Sequence, residues 1–413
     1  MRMENWKKAL IVGGLGYWSD TMDFAIALQV TPIIMSQWGL GAAIVGFVSA
    51  IGRVGTLLMS FFGGPIVDRF GRARMFAIGN FMSGLFYIFL AMTTEWVSYA
   101  VLRIGYLFFS MLTAYPVEVF IAEMVPAERR NLLRNVSTMM SVVGNLFLML
   151  VGMPIMIPKW GWQSVFIFNG LFGWFVAAMG VAFLREPEVW TERMKLIKEG
   201  KLKESKVPLR RLLDKDVRGK FLLGCWGSFA HAFMMFPGWF IGTYAVYNLR
   251  WSSGTLGYFL AISTIVGALV APLLGYISDR IGRTKTMTLG IIGEIIDIVL
   301  FLYGTSIEAS MPFFGPTILY SVGGIFIGAW SNSFFVWRAE IYPTAVRASG
   351  TSFNHFFYAL VDIFTALGLV GYLSSVIGLG SALALGCAIG IIGPIPILLS
   401  RVETKGRAIK AVE

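Results

Sequence analysis

The chain has 413 residues, 56% of them hydrophobic and 14% charged, with a mean hydropathy of +0.72. Soluble domains carry about 25% charged residues, so this composition excludes an ordinary soluble protein and indicates a polytopic membrane protein. The net charge of +11 is accounted for by its placement along the chain, without a nucleic-acid partner.

Apolar stretches of about 20 residues or more can cross a bilayer. Twelve occur, at residues 9–36, 40–63, 75–94, 97–124, 132–157, 162–184, 219–248, 254–276, 286–305, 312–342, 347–374 and 376–400. No small-residue cleavage site follows the basic residues Met1 to Lys8, so the first stretch is expected to be a retained span. Alternating the spans puts 28 Lys and Arg on the side holding both termini, and only Lys159 and Arg250 on the other. Four more, Arg53, Arg103, Arg134 and Arg338, fall inside spans. Basic residues gather on the cytoplasmic side, so both termini are expected in the cytoplasm, with the surplus charge facing the inner leaflet.

Span 1 carries Asp20 and Asp23, three residues apart and therefore on one helical face. A carboxylate at the bilayer centre is costly unless paired or hydrated, so this face should meet a cavity or a partner. Arg53 in span 2 lies at similar depth and is a candidate counter-ion. A static charge pair that fixes packing is the simpler alternative.

Between spans 2 and 3 the chain reads Gly64-Pro-Ile-Val-Asp68-Arg69-Phe-Gly71-Arg72-Ala-Arg74. It recurs 211 residues later as Gly275-Tyr-Ile-Ser-Asp279-Arg280-Ile-Gly282-Arg283-Thr-Lys285. A fixed offset of half the chain indicates two related halves. Residues 1–184 are expected to form one six-helix bundle and 219–413 the other, with 185–218 as a cytoplasmic linker. The glycines suggest close approach of two helix ends. Asp68 is expected to accept from a helix start, and the charged loops to form an inner gate.

Span 4 holds Arg103 and Glu118 and ends Ala122-Glu123-Met-Val-Pro126-Ala-Glu-Arg129-Arg130. Span 10 ends Ala339-Glu340-Ile-Tyr-Pro343-Thr-Ala-Val-Arg347, the same pattern at an offset of 217. Proline stops each helix, and the Glu above it can pair with basic loop residues. Glu123, Arg130, Arg134, Arg338, Glu340 and Arg347 are therefore expected to join the gate. In the linker, Val189, Trp190, Met194 and Ile197 fall at helical spacing, so residues 188–199 read either as an amphipathic surface helix or as plain linker.

Span 7 contains His231, at the place of Asp20 in the repeat, and an aromatic run that includes Trp239 and Tyr244. A histidine titrates near neutral pH. It can carry a proton, donate to an anion, or simply bond a neighbouring helix. Span 9 carries Glu294 and Asp297, for which the sequence suggests no partner. Trp330 and Asn332 mark span 10. Asn354, His355, Tyr358 and Asp362 mark span 11, and the last three form a polar stripe at helical spacing that should face inward. Cys225 and Cys387, far apart in apolar runs, read as buried hydrophobes.

The repeated Gly-x-x-x-Asp-Arg-x-Gly-Arg motif resembles the loop signature of the major facilitator superfamily. The basic residue after it is shifted by one position in both copies, to Arg74 and Lys285. Arg103 with Gly105 resembles the superfamily's helix 4 motif. The Glu-x-x-Pro-x-x-x-Arg helix ends resemble its sugar-porter and organic-acid branches, as does Leu184-Arg-Glu186-Pro187-Glu-Val-Trp190. Asp20-Thr-Met-Asp23 resembles the Asp-Gly-Tyr-Asp of aromatic-acid:proton symporters, without its Gly and Tyr. Spans 10 and 11 also resemble sialic-acid carriers. The resemblance implies an all-α integral membrane fold, with twelve transmembrane helices in two pseudo-symmetric six-helix bundles. It also implies that spans 1, 4, 7 and 10 line a central cavity.

No nucleotide-binding loop, metal-ligand cluster or nucleophile triad occurs, so no enzyme activity, cofactor or metal is expected. The expected function is a secondary transporter in the plasma membrane, working as a monomer. It would carry a small organic anion inward with protons by alternating access. Asp20, Asp23, Glu118 and His231 are the expected proton-coupling groups. Arg53, Trp239, Tyr244, Trp330, Asn332, Asn354, His355, Tyr358 and Asp362 are the expected substrate contacts. Arg53 suits a carboxylate because its planar guanidinium makes two-pronged contacts. A sugar or polyol porter and an efflux antiporter are the alternatives; a non-transporting receptor is the remaining one. The antiporter's helix 5 motif is absent from Val143 to Pro154.

Overall fold

Helix covers every predicted span in the computed structural model, which describes residues 5–124, 130–186, 191–192, 194–196, 199, 212–342 and 347–404. No strand occurs among the described residues. The first span runs as α1 (Asn5–Ala25), a π-helical turn (Ile26–Val30) and α2 (Thr31–Gln37). The widened turn precedes Pro32, which lacks the N–H an α-helix needs and crowds the carbonyl one turn back. The rest of the first half is α3 (Ala42–Phe70), α4 (Arg72–Ala91), α5 (Trp96–Met124), α6 (Arg130–Phe147), a second π segment (Leu148–Met156) around Pro154, α7 (Ile157–Trp160) and α8 (Gln163–Phe183).

The second half holds α9 (Arg218–Tyr247), α10 (Ser253–Ile281), α11 (Arg283–Thr288), α12 (Gly290–Ser310) and α13 (Phe314–Glu340). It continues with α14 (Arg347–Thr365), a third π segment (Ala366–Leu373), α15 (Ser374–Ile377), α16 (Leu379–Ile392) and α17 (Pro394–Leu399). Ten helical stretches among the described residues are long and apolar enough to cross a membrane. The two predicted spans outside that set are the first and the seventh. These are the spans that carry Asp20 with Asp23 and His231.

The charged loops are shorter than the sequence suggests. Helix α3 runs through Asp68 and Arg69 to Phe70, and α4 starts at Arg72, so Gly71 alone turns the chain. Gly282 alone separates α10 from α11. Their φ values of 101° and 108°, with ψ of 149° and 154°, lie in a region that only glycine occupies readily. Gly275, by contrast, faces open space, so it brings no helix ends together.

The chain divides into two compact units, residues 1–30 with 51–206 and residues 31–50 with 207–413. In the first, Val12, Phe76, Val176 and Leu184 form one buried apolar cluster, and Met59, Val67, Met75 and Leu112 another. In the second, the core gathers Ala230, Met234, Trp330, Phe334, Trp337, Tyr342 and Ile397. Residues 31–50 belong to the second unit through close contacts. The Tyr247 hydroxyl donates to the Leu40 carbonyl at 2.7 Å, and Gly46 lies so near the third π segment that a Cβ there would stand 2.4 Å from the Gly371 nitrogen. Large apolar side chains such as Val181, Leu269 and Leu399 are exposed, as lipid-facing positions require.

Candidate functional site

In the first unit the polar centre is built on α1. Asp23 is 2% exposed, while Asp20 is half-buried. The Asn169 amide on α8 donates to Asp23 Oδ1. Two phenols, Tyr106 on α5 and Tyr87 on α4, donate to the Asp23 backbone carbonyl at 2.6 and 3.0 Å. Their rings pack together with centroids 4.7 Å apart. One turn on, Arg103 donates to the Ala27 carbonyl at 3.2 Å and lies over the Tyr99 ring. Asp20 accepts instead from the Ser110 hydroxyl on α5, at 3.2 Å. These bonds meet α1 beside its π turn, where the helix's own carbonyl pairing is loosened.

Both acids are thus brought together with α4, α5 and α8. Arg53 is buried on α3 at 8% exposure. Tyr87, Tyr106, Ser110 and Asn169 were not legible as site residues, because a lone Tyr, Ser or Asn in an apolar run has no periodic signature. The side chain of Glu118 lies outside the described residues.

In the second unit His231 on α9 accepts the indole N–H of Trp330 on its Nδ1, at 3.1 Å. Since an indole only donates, that nitrogen is unprotonated in this arrangement. Phe334 stacks on the imidazole at 4.8 Å, with Phe335 at 5.0 Å and Tyr358 at 5.2 Å. Trp239 meets the Tyr358 ring edge-on at 5.7 Å, and His355 stacks on the same ring at 5.7 Å. The predicted residues His231, Trp239, Trp330, His355 and Tyr358 therefore form one aromatic cluster. Asp362 shares their stripe and is fully buried.

Three predicted contacts lie elsewhere. Tyr244 turns onto α12, donating to the Leu300 carbonyl at 3.2 Å. Asn354 donates to the Tyr342 hydroxyl at 2.8 Å and binds helices together. Asn332 is exposed on α13. Glu294 and Asp297 on α12 are fully buried. They rest on Gly390 and Gly323, where an added Cβ would come within 2.9 Å of each carboxyl. Apart from the Cys387 thiol facing Glu294, neither carboxyl has a hydrogen-bond partner among the described residues.

The repeated corners hold the most regular geometry. The Glu186 carboxylate accepts from the backbone N–H of Arg72 at 2.7 Å and of Arg74 at 3.2 Å. In the other unit, Glu403 accepts from the N–H of Arg283 at 2.9 Å and of Thr284 at 3.1 Å, and from the Thr284 hydroxyl at 2.6 Å. A carboxylate at a helix start satisfies orphan donors and the helix dipole. Each glutamate thus caps the helix start at its own corner. They stand 217 residues apart, the spacing of Glu123 and Glu340, a signal that sequence reading passed over. Arg283 reaches Glu340 at 3.9 Å and the Ser278 hydroxyl at 3.2 Å, which joins the two repeated motifs within one unit. Arg338 lies over Phe334 and Phe335. Arg72 is buried, Arg69 exposed, and Arg280 lies over Tyr276. The side chains of Gly64's neighbour Pro65, of Asp68, Glu123, Arg130, Arg134, Asp279 and Arg347 lie outside the described residues, as does the side-chain environment of Gly64.

The described residues form a helical fold with buried ionisable groups and paired capped corners. Residues 13–366 match the Major Facilitator Superfamily. The chain belongs to that superfamily: it is a multi-pass membrane protein and a secondary transporter of a small molecule, in a family that is not an enzyme class. It is 25% identical over 414 residues to the cis,cis-muconate transport protein of Acinetobacter baylyi, covering 95% of this chain and 94% of that one. It is 25% identical over 370 residues to the niacin transporter NiaP of the same organism, covering 83% and 81%. The fold matches the crystal structure of a D-xylose-proton symporter with a TM-score of 0.75 and 18% identity, covering 98% of this chain and all of the other.

Proposed function

We propose that this transporter imports a small organic carboxylate together with protons by alternating access. The observation that carries the reading is the acid pair Asp20 and Asp23, held in a membrane-spanning helix by Asn169, Ser110 and two phenols. Ionisable groups inside the membrane mark ion and proton pathways. Two relatives support a carboxylate cargo, since muconate is a dicarboxylate and niacin a monocarboxylate. Arg53 is the proposed partner of the substrate carboxylate. Within the second unit, the aromatic and polar group of His231, Trp239, Trp330, His355, Tyr358 and Asp362 suits an organic cargo. Both termini face the cytoplasm, the membrane is the plasma membrane, and one chain suffices.

Purified protein in proteoliposomes, offered cis,cis-muconate, nicotinate and xylose with and without an inward proton gradient, tests the reading. Gradient-driven accumulation of a carboxylate is expected. Uptake indifferent to the gradient, full accumulation by the Asp20→Asn/Asp23→Asn double variant, or better competition by xylose than by any anion would each sink it.

A further inference from the structure

Two carboxyls of the second unit have no part in the function proposed above. Glu294 and Asp297 stand three residues apart and share one face of α12, the buried face that also carries Gly290, Gly293 and Gly304. Both are fully buried. None of their four carboxyl oxygens touches a space that water could enter. The Cys387 thiol of α16, facing Glu294, is the one hydrogen-bonding group beside them among the described residues. An ionised carboxylate buried without donors or a counter-ion is so costly that the group neutralises instead. Both acids therefore hold their protons in this packing.

The neighbouring helices leave room for nothing larger than a proton. Helix α13 presents Gly323, where an added Cβ would stand 2.9 Å from Asp297 Oδ1, and α16 presents Gly390, at 2.9 Å from the Glu294 carboxyl. Gly293 lies against the Gly323 carbonyl and Gly380 against the Phe301 carbonyl, so α12 is pressed on both helices. The titratable groups facing the pair are Tyr320 from α13, whose hydroxyl lies by Gly238, and Cys387 from α16. Helix α9 presents Met234 at Gly290 and the Tyr244 hydroxyl at Gly304. Helix α11 carries Arg283, bound to Ser278 and Glu340, and the exposed Lys285. At the far end of α12, Glu308 accepts the Trp251 indole N–H. No cation pairs with either acid among the described residues. Apolar side chains of the same shape would fill this seam at least as well, so packing alone does not account for two acids.

We infer that Glu294 and Asp297 are a proton-binding lock on the seam of α12 with α13 and α16, apart from the cargo and from the acids of α1. The ligand is the proton itself. Each carboxyl keeps its O–H bond while the seam is closed. Loss of either proton leaves a bare charge beside a second acid, and water reaches that charge only when the seam loosens. Because the closed form holds more protons, its stability falls as pH rises. The lock is closed at neutral pH and opens on the alkaline side, where the carrier stops.

The test compares two purified full-length proteins. One carries Asp20→Asn/Asp23→Asn, which removes the acids of α1; the other carries Glu294→Gln/Asp297→Asn in addition. The amides keep the shape of the protonated acids. At neutral pH the first protein is expected to show an infrared band of protonated carboxyl that the second lacks. Its melting temperature is expected to fall more steeply toward alkaline pH. The same band in both proteins, or parallel melting curves, overturns the proposal. If the second protein does not fold, the first decides alone: its band must fade over the pH interval in which its melting temperature falls, and a band that persists through that interval overturns the lock. In proteoliposomes, wild-type uptake is expected to drop several-fold from neutral to alkaline pH, while Glu294→Gln/Asp297→Asn keeps its neutral-pH rate. Loss of gradient-driven accumulation by that variant at neutral pH overturns the lock by placing the pair in the coupling path. Absence of any carboxylate uptake by wild type would instead defeat the transport reading, and the band and melting curves would still decide the lock.

Discussion

The polar centre of the first unit is held by hydrogen bonds, and that of the second by rings. Asp23 is fixed by donors from three helices, whereas His231 has one indole N–H and is otherwise surrounded by aromatic faces. The lesson concerns charge. Donors stabilise a carboxyl in hydrocarbon, and at Asp23 they come from Asn and Tyr side chains. A neutral imidazole needs only a donor for one nitrogen, and aromatic faces accommodate the rest. The polar centres of the two units therefore rest on different physics.

Removing one donor from each centre should expose that difference. Asn169→Leu removes one side-chain donor from the buried Asp23 carboxyl, and the expected loss is about 3 kcal/mol, read as a large drop in the melting temperature of the detergent-solubilised protein. Equal melting temperatures for this variant and wild type would show that Asp23 does not depend on the bond. At the corners, where the two units agree, Gly71→Ala and Gly282→Ala force a side chain into a glycine-only region. The new Cβ atoms would also stand 2.4 and 2.6 Å from the capping carboxylates of Glu186 and Glu403. A cost of roughly 1–3 kcal/mol each is expected, and the two should be alike; a one-sided effect would break the symmetry argument.

The caps themselves should rank next. Glu403→Gln replaces one of the two oxygens that accept from three amides and a hydroxyl, Glu186→Gln one of two that accept from two amides, and each loses the charge at a helix start, at about 1 kcal/mol each. The Glu403 variant is expected to melt lower. Smallest is Trp330→Phe, which keeps a ring against Phe334 but loses the bond to His231. Roughly 1 kcal/mol is expected, and the His231 ring nitrogen resonances should shift in NMR spectra of histidine-labelled protein. Unchanged resonances would remove Trp330 from the histidine's environment.

Much of this was legible in the chain because it follows from bulk properties and repetition. Apolar length marks spans, since a bilayer has a fixed thickness. The offset copies around Gly71 and Gly282, and around Glu123 and Glu340, mark the two related halves. Even the odd status of spans 1 and 7 follows from their polar residues. Sequence also reached Asp20, Asp23, His231, Trp330 and Tyr358, because ionisable and large aromatic residues stand out in an apolar run. What the tertiary structure alone decided is which of these meet. Tyr87, Tyr106 and Asn169 lie 64, 83 and 146 residues from Asp23, and no local period links residues on helices that are neighbours only after packing. For the same reason the caps found at the corners, Glu186 and Glu403, lie 114 and 120 residues from amides they accept from. Packing also turned Tyr244 and Asn354 from the aromatic cluster toward their own neighbours, because a side chain's direction is set by the helix packed against it.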